Sequence, residues 1–583
     1  MRIKYISVLA FAAFTFCTNL IAQNNKTVPN IYKSVNKAQM TKWVDSVYNR
    51  MSTDQRIGQL FVPVAFGNDT QANRNSIISM VQKQHIGGLL FSKSTPVAQA
   101  NLTNVAQKAA KVPLMITLDG EWGLAMRLSG TTRFPRNMML GAIQDDSLLY
   151  YYGKEVARQC KLMGIHVNFA PALDVNSNPA NPVIGVRSFG EDPKRVAKLG
   201  IMYSKGLEAG GVMSVAKHFP GHGDTSTDSH KVLPLITHNR ERLDNIEIKP
   251  FKEYINAGLS GMMVGHLNIP ALETKEQPSS LSVKITTGLL QDELGFTGLI
   301  FTDGLQMKGV SGEDNYCVRA LLAGNDVLLG PLSLIKEYNA VKQAVSDGTI
   351  SQSMLEQKCK KVLAYKYILG VLKTKPIDTR TLVKNLNTPQ ADHINRELSK
   401  AAVTRLKDSE NIIPFKELDK RKIAAVALGE GANNEFHKRL KDYGDVTCFT
   451  AANANALLQL KNQLSKYNTV IVSVHSTKIS ADTAIRTVTQ GKETVLAFFV
   501  VPYRMSAFGN SIKASDAVVL GYEGNEYSYD YTAQTLFGGY APSGKIPVSV
   551  KGLFETGTGL AKKKTRLAYD IPESLGISSE RFN

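Results

Sequence analysis

From about Thr53 the chain alternates short, nearly unbroken apolar runs with segments of helical length. The runs are QLFVPVAF (59–66), GGLLFS (87–92), LMITLDGE (114–121), IHVNFAPALDV (165–175), VMSVAKHFPGH (212–222), GMMVGHLNI (261–269), GLIFTDG (298–304) and NDVLLGP (325–331). Runs that are apolar on both alternating faces, separated by helices, predict buried parallel strands. Eight such units predict an α/β fold with a closed (β/α)8 TIM-type barrel; an open doubly wound sheet is the alternative. Polar residues collect where the runs end: Asp119 and Glu121, Asn168 and Asp174, Lys217 and His218, His266, and Asp303. In a barrel all strand C-termini open on one face, so these side chains are expected to converge on one pocket.

A second α/β pattern follows residue 395: KIAAVAL (422–428), VTCFTA (446–451), TVIVSVHS (469–476), TVLAFFVVP (494–502), AVVLGYE (517–523) and KIPVSV (545–550). These predict a six-stranded sheet with helices on both faces, an α/β sandwich domain. The expected organisation is a catalytic barrel over 30–377, a linker over 378–395, the sandwich over 396–560 and a tail or connector over 561–583. In the sandwich, VALGEGANNE has a G-x-G after a strand, but Asn434 stands where a dinucleotide fingerprint needs its third glycine, and a tight turn suffices to explain the glycines. The chain has no G-x-S-x-G elbow.

The N-terminus, MRIKYISVLAFAAFTFCTNLIAQ, sets Arg2 and Lys4 before an apolar run ending near Phe16. That run is too short to span a bilayer and reads as a secretory signal over 1–22, predicting an exported, periplasmic or secreted protein without stable membrane insertion. Bulky Phe16 argues against lipidation of Cys17. Cys160, Cys317, Cys359 and Cys448 are scattered, with no C-x-x-C, so neither a zinc knuckle nor a disulfide scaffold is indicated. Apolar residues at 43% and charged residues at 20% describe a globular chain of 583 residues, enough for two domains. The formal charge of +19 admits nucleic acid, an anionic wall polymer or plain solubility as explanations. No nucleic-acid motif accompanies it, and no nucleic-acid partner is expected.

The densest chemistry lies in KHFPGHGDTSTDSH, residues 217–230. His218 and His222 have the i, i+4 spacing of a helical zinc pair, but Pro220, Gly221 and Gly223 forbid a helix there. Asp228 and His230, two apart on a loop rich in small polar residues, suit a different purpose: one carboxylate can orient one imidazole for proton transfer. Across the expected pocket, Asp303 ends the seventh run. A carboxylate facing a proton donor fits cleavage of a glycosidic bond.

KHFPGHGDTSTDSH, with FTDGLQM downstream and VIGVRSFGEDP upstream, resembles the β-N-acetylglucosaminidases of glycoside hydrolase family 3 across about residues 50–370. The second half, ending in TLFGGYAPSGKIPVSV, resembles the α/β sandwich that follows the barrel in many members. The resemblance implies Asp303 as nucleophile, His230 with Asp228 as the acid/base dyad, and Lys217, His218, Arg187, Asp119 and Arg127 as substrate ligands. It implies no metal and no cofactor. The implied reaction is retaining removal of terminal GlcNAc from a GlcNAc-containing glycan or muropeptide, a peptidoglycan fragment; a phosphorylase, or a β-glucosidase or β-xylosidase of the same family, is the alternative. The family stretch D-x-E-G-G-R-x-x-R reads DGEWGLAMR here, with Trp122 for a glycine and Leu124 for the first arginine, which leaves the outer subsite open. The end of the chain, TRLAYDIPESLGISSERFN, resembles a connector that in some exported relatives leads into a β-lactamase-like domain.

Overall fold

The computed structural model describes residues 26–227, 232–431 and 434–579. The expected signal over 1–22 therefore lies outside the described residues, as do Asp228 and His230. The first run is one strand broken by Pro63 into β1 (Phe61–Val62) and β2 (Val64–Ala65); proline offers no N–H to a ladder. β3 (Gly88–Phe91), β4 (Met115–Leu118), β5 (Val167–Asn168), β6 (Met213–Phe219), β7 (Gly261–Val264) and β8 (Leu299–Thr302) follow in parallel order from β2, and β9 (Leu328–Leu329) pairs with β1. The parallel bridge Phe301–Val327 ties β8 to the β9 segment and closes the ring. All eight apolar runs are strands of this barrel, and β3 to β9 are buried along their whole length, as two-sided burial requires.

The second sheet has the order β10-β15-β14-β13-β11-β12, parallel except at β10 (Thr404–Asp408). β11 (Ile423–Leu428), β12 (Val446–Ala451), β13 (Thr469–Val474), β14 (Glu493–Phe498) and β15 (Ala517–Leu520) are the predicted strands. Alternation sorts its residues into two cores. Val426, Val472, Leu496 and Val518 join a hydrophobic cluster continuous with the barrel, whereas Ala425, Ile471, Val495 and Val519 face a separate cluster closed by Phe415, Tyr531 and Phe537.

The sixth strand differs from expectation. It is Thr404–Asp408, whose TRLKD reads as polar because it is an antiparallel edge: Arg405 Nε donates to Leu560 O (3.1 Å) and Lys407 Nζ to Lys513 O (2.8 Å). KIPVSV, residues 545–550, is not a strand of the sheet but a strap laid over the barrel. Lys545 N donates to Ala142 O (3.0 Å), Glu191 N to Pro547 O (3.1 Å) and Ser549 Oγ to Glu191 Oε1 (2.6 Å). Gly190, at φ +145°, lets this happen, since a Cβ there would stand 2.4 Å from Pro547 O. Helices Leu382–Leu386 and Pro389–Ala402 occupy the stretch around 378–395. Beyond residue 561 the chain packs on helix Glu526–Phe537, where Gln534 exchanges hydrogen bonds with the backbone of Tyr569. Among the described residues no helix is long and apolar enough to cross a membrane.

Candidate active site at the C-terminal mouth of the barrel

The turn after β4 is fastened by Asn168 at the end of β5, whose Oδ1 accepts from Gly120 N (2.8 Å) while Nδ2 donates to Gly120 O (3.1 Å). This holds Asp119 and Glu121 either side of Gly120. Lys217, 2% exposed, reaches from β6 to both carboxylates at 2.8 Å. Arg127 takes the other oxygen of Asp119 (2.7 Å), and Arg187 grips Glu121 through Nη2 (2.7 Å) and Nε (3.0 Å). Burial alone would raise both carboxyls, but the facing cations bring Asp119 down to about 2 and hold Glu121 well below the carboxylate range. Burial likewise opposes the Lys217 charge, and the two carboxylates outweigh it, so the ammonium is retained. Three cations against two carboxylates leave the network one positive charge in excess.

His218 stands beside this network. Its Nδ1 lies 2.8 Å from Asp174 Oδ2, and Arg187 Nη2 donates to its Nε2 at 3.3 Å. A guanidinium only donates, so the hydrogen-bond pattern assigns the proton to Nδ1. Asp174, with no exposed surface, also accepts from the backbone N–H groups of His218 (3.2 Å) and His222 (2.7 Å). Its carboxyl is held low by these partners despite burial. One carboxylate thereby fixes the whole turn from β6 into the glycine-rich loop. Gly223 belongs to that turn because a Cβ would lie 1.7 Å from Val175 O. His222, buried and bonded to Thr225 Oγ1 (2.8 Å), is pushed by burial to a pKa of about 4 and stays neutral.

Asp303 follows β8 directly. Its Oδ1 accepts from Gly304 N (2.7 Å), and its own N–H donates to Val264 O (2.9 Å). His266, after β7, holds Gly304 from the other side, with Nε2 donating to Gly304 O (3.2 Å) and Nδ1 accepting from Ser280 Oγ (2.7 Å). Burial would push the Asp303 carboxyl up, but His218, His266, the Gly304 N–H and Lys217 together keep it below its ordinary value. An ionised, half-buried carboxylate in a basic cavity is a fit nucleophile.

Of the expected ligands, Asp119, Arg127, Arg187, Lys217 and His218 form one bonded network. Glu121 and Asp174 are further members of this network, and His266 stands apart from it, bonded to Ser280 and Gly304; all three sit at ends of apolar runs, the signal that also found Lys217, but the resemblance assigned them no role. Leu124 is fully buried, and the Arg136 guanidinium lies over the Trp122 ring, 5.3 Å from its centre, so one face of that ring is already covered. Among the described residues, the ligand atoms of Asp224, His238 and Glu247 lie within 4.8 Å of one another. Arg242 sits against two of them, 3.7 Å from Asp224 and 3.2 Å from Glu247, and supplies positive charge there itself.

A parallel barrel whose strand ends gather a carboxylate nucleophile candidate and a polar rim is the architecture of a barrel glycosidase. The pattern of the glycosyl hydrolase family 3 N-terminal domain matches residues 52–365, more than half of the 583-residue chain, and the chain belongs to that family. Beta-hexosaminidase A of Pseudoalteromonas piscicida is 35% identical over 374 residues, 58% of this chain and 62% of that protein; the chain thus spans less than two thirds of that relative's length. The beta-N-acetylglucosaminidase/beta-glucosidase of Cellulomonas fimi is 27% identical over 385 residues, 64% of this chain and 68% of that protein. A solved family 3 beta-N-acetylglucosaminidase from Paenibacillus sp. str. FPU-7 superposes with a TM-score of 0.73 at 27% identity, covering 86% of this chain and 99% of its own.

Proposed function

We propose that this chain is an exported, retaining exo-β-N-acetylglucosaminidase that removes terminal GlcNAc from peptidoglycan fragments. The observation that carries the reading is Asp303: a carboxylate kept ionised at the strand end beside Lys217 and His218. In the reaction, Asp303 attacks the anomeric carbon and displaces the aglycone, whose oxygen takes a proton from His230, oriented by Asp228. Water, deprotonated by the same imidazole, then releases the sugar with its configuration retained. Lys217, Asp119 and His218 face the hydroxyl groups of the terminal sugar, and Arg187 braces the acetamide side through Glu121. The named activity of the Paenibacillus relative supports GlcNAc as the sugar, and that of the Pseudoalteromonas relative supports a hexosamine. The double name of the Cellulomonas relative favours one further reading, a glucosidase activity, and a neutral imidazole in place of a second carboxylate would also admit phosphate as acceptor.

The deciding experiment is hydrolysis of paired aryl β-GlcNAc and aryl β-glucoside substrates, with and without phosphate. A site that hydrogen-bonds the acetamide rejects the analogue lacking it by large factors, ~10⁴ in favourable cases. The expected result is strong preference for GlcNAc and release of free sugar. Equal rates on both glycosides would overturn the assignment; GlcNAc-1-phosphate as main product would replace water by phosphate.

A further inference from the structure

Opposite the catalytic mouth, at the N-terminal end of the strands, lies a cleft of about 590 Å³. Its walls are the end of helix Ser147–Leu162, the residues leading into β5, and the segment that leaves the barrel after residue 370. Three cations line it, Lys161 from the helix and Lys373 and Lys375 from the departing segment, and none has a carboxylate partner among the described residues. The one carboxylate in the lining, Asp378, is engaged by Arg380, whose Nη2 donates to Oδ2 (2.6 Å) and Nε to Oδ1 (3.0 Å). The departing segment is itself held in place: Asn104 Nδ2 donates to Ile377 O (3.0 Å) and Asn104 Oδ1 accepts from Ile377 N (2.8 Å).

A buried imidazole sets the polarity of the wall. His166, 3% exposed, accepts at Nδ1 from Ile116 N (3.1 Å). A backbone N–H only donates, so the proton of the neutral ring is on Nε2, which donates to Thr374 Oγ1 (3.0 Å). Burial, with Lys161 and Lys366 nearby, pushes the imidazole down to about 3 and keeps it neutral. Thr374 thus receives a hydrogen bond from beneath, and its own hydroxyl hydrogen is left for the cleft. The result is three ammonium groups and a hydroxyl donor with no free carboxylate, a lining that selects an anion. A planar carboxylate is best met by the fork of an arginine, whereas lysines act as point charges around a group that accepts from several directions. Arg380, beside the cleft, is already bound to Asp378.

We propose that this cleft binds a phosphate-bearing ligand, held by Lys161, Lys373 and Lys375 and oriented by Thr374. The cleft has room beyond a single phosphate group, which places the phosphate on a larger molecule, a sugar phosphate or a stretch of phosphodiester polymer. The proposal is independent of the glycosidase reading, because none of these residues belongs to the barrel mouth.

The test titrates the full chain calorimetrically, at fixed low ionic strength, with inorganic pyrophosphate, glucose 6-phosphate and a poly(glycerol phosphate) oligomer. One saturable site is expected, and the tighter of the last two probes identifies the source. Lys373→Ala combined with Lys375→Ala should weaken binding ~10-fold or more and leave hydrolysis of an aryl glycoside unchanged. A chain of formal charge +19 attracts polyanions over its whole surface, so the deciding variant leaves charge alone. Thr374→Val is expected to weaken binding ~10-fold, and Thr374→Ser to bind as the wild type does. Lys461→Ala combined with Lys466→Ala, two exposed lysines of the sandwich, removes the same charge as the cleft pair and should leave affinity unchanged. Absence of saturable binding, equal loss in the sandwich pair, or undiminished binding by Thr374→Val would overturn the site. Citrate bound as tightly as pyrophosphate would overturn the choice of phosphate. If Thr374→Val does not fold, the contrast between the two lysine pairs decides.

Discussion

Asp303 and Lys217 carry the sharpest predictions at the scale of single residues. Asp303→Asn keeps the side chain's shape and its bond from Gly304 but removes the charge that the proposed mechanism uses as nucleophile, so on that reading turnover of every glycoside should be abolished while the melting temperature is little changed. Lys217→Met should act on stability as well as on activity. Removing one partner of a buried ionic network leaves uncompensated charge, here on Asp119 and Glu121, and costs ~3–5 kcal/mol; the denaturant midpoint measures it. Arg187 and Arg127 remain to answer those carboxylates, which places the expected loss at the low end. That these residues gather at the mouth of the barrel was legible in the sequence because acid/base residue types stand at the ends of apolar runs. Their wiring was not. That Glu121 ties Lys217 to Arg187, or that Asp174 fixes His218, depends on which strand ends are neighbours around the ring, and no local pattern contains that information.

Among the elements, the eight barrel strands could be read because burial on both faces leaves an uninterrupted apolar run. Thr404–Asp408 could not, since an edge strand satisfies its polar side chains on neighbouring backbone and so loses the apolar signature. KIPVSV misled for the opposite reason: it is apolar because it covers the barrel, not because it pairs. Helix Pro193–Ala209 supplies a pH-dependent prediction. Glu208 lies in its last turn, where the helix dipole disfavours negative charge, and burial raises its pKa to about 7 although Ser214 and Ser260 donate to it. Between its ordinary value near 4.5 and about 7, the folded chain holds a proton that the unfolded chain has lost. This contribution to stability is thus complete at low pH and disappears as pH rises through that window. Glu208→Gln should flatten the fall in melting temperature between pH 5 and pH 8, read from thermal melts at matched ionic strength.

Over the whole molecule, the barrel and one face of the sandwich sheet share a continuous hydrophobic cluster, reinforced by Asn176 Nδ2 donating to Tyr503 OH (2.8 Å) and by Arg136 N donating to Glu523 (2.8 Å). Two units joined this way should unfold together, giving one calorimetric transition; two resolved transitions would contradict it. Tyr503→Phe leaves the buried Asn176 amide unpaired, a cost of ~1–3 kcal/mol, and should lower that single transition without splitting it. Barrel and sandwich were separately visible in the sequence, but their contact was not, because each residue in it also serves a plausible local purpose.

The strap at 545–550 bears on how the protein comes into being. Ser549 and Glu191 are 358 positions apart, so the barrel's Ala142 and Glu191 must wait for a segment made long after the barrel itself. At the ribosome's ~5–20 residues per second, the interval between finishing the barrel near residue 377 and making residue 550 is on the order of ten seconds or more. Until residues 545–550 are in place, a barrel that had already folded would keep this flank uncovered. A ribosome-stalled chain ending before 545 should therefore be cut by protease near 141–142 and 190–191, and the full chain should not.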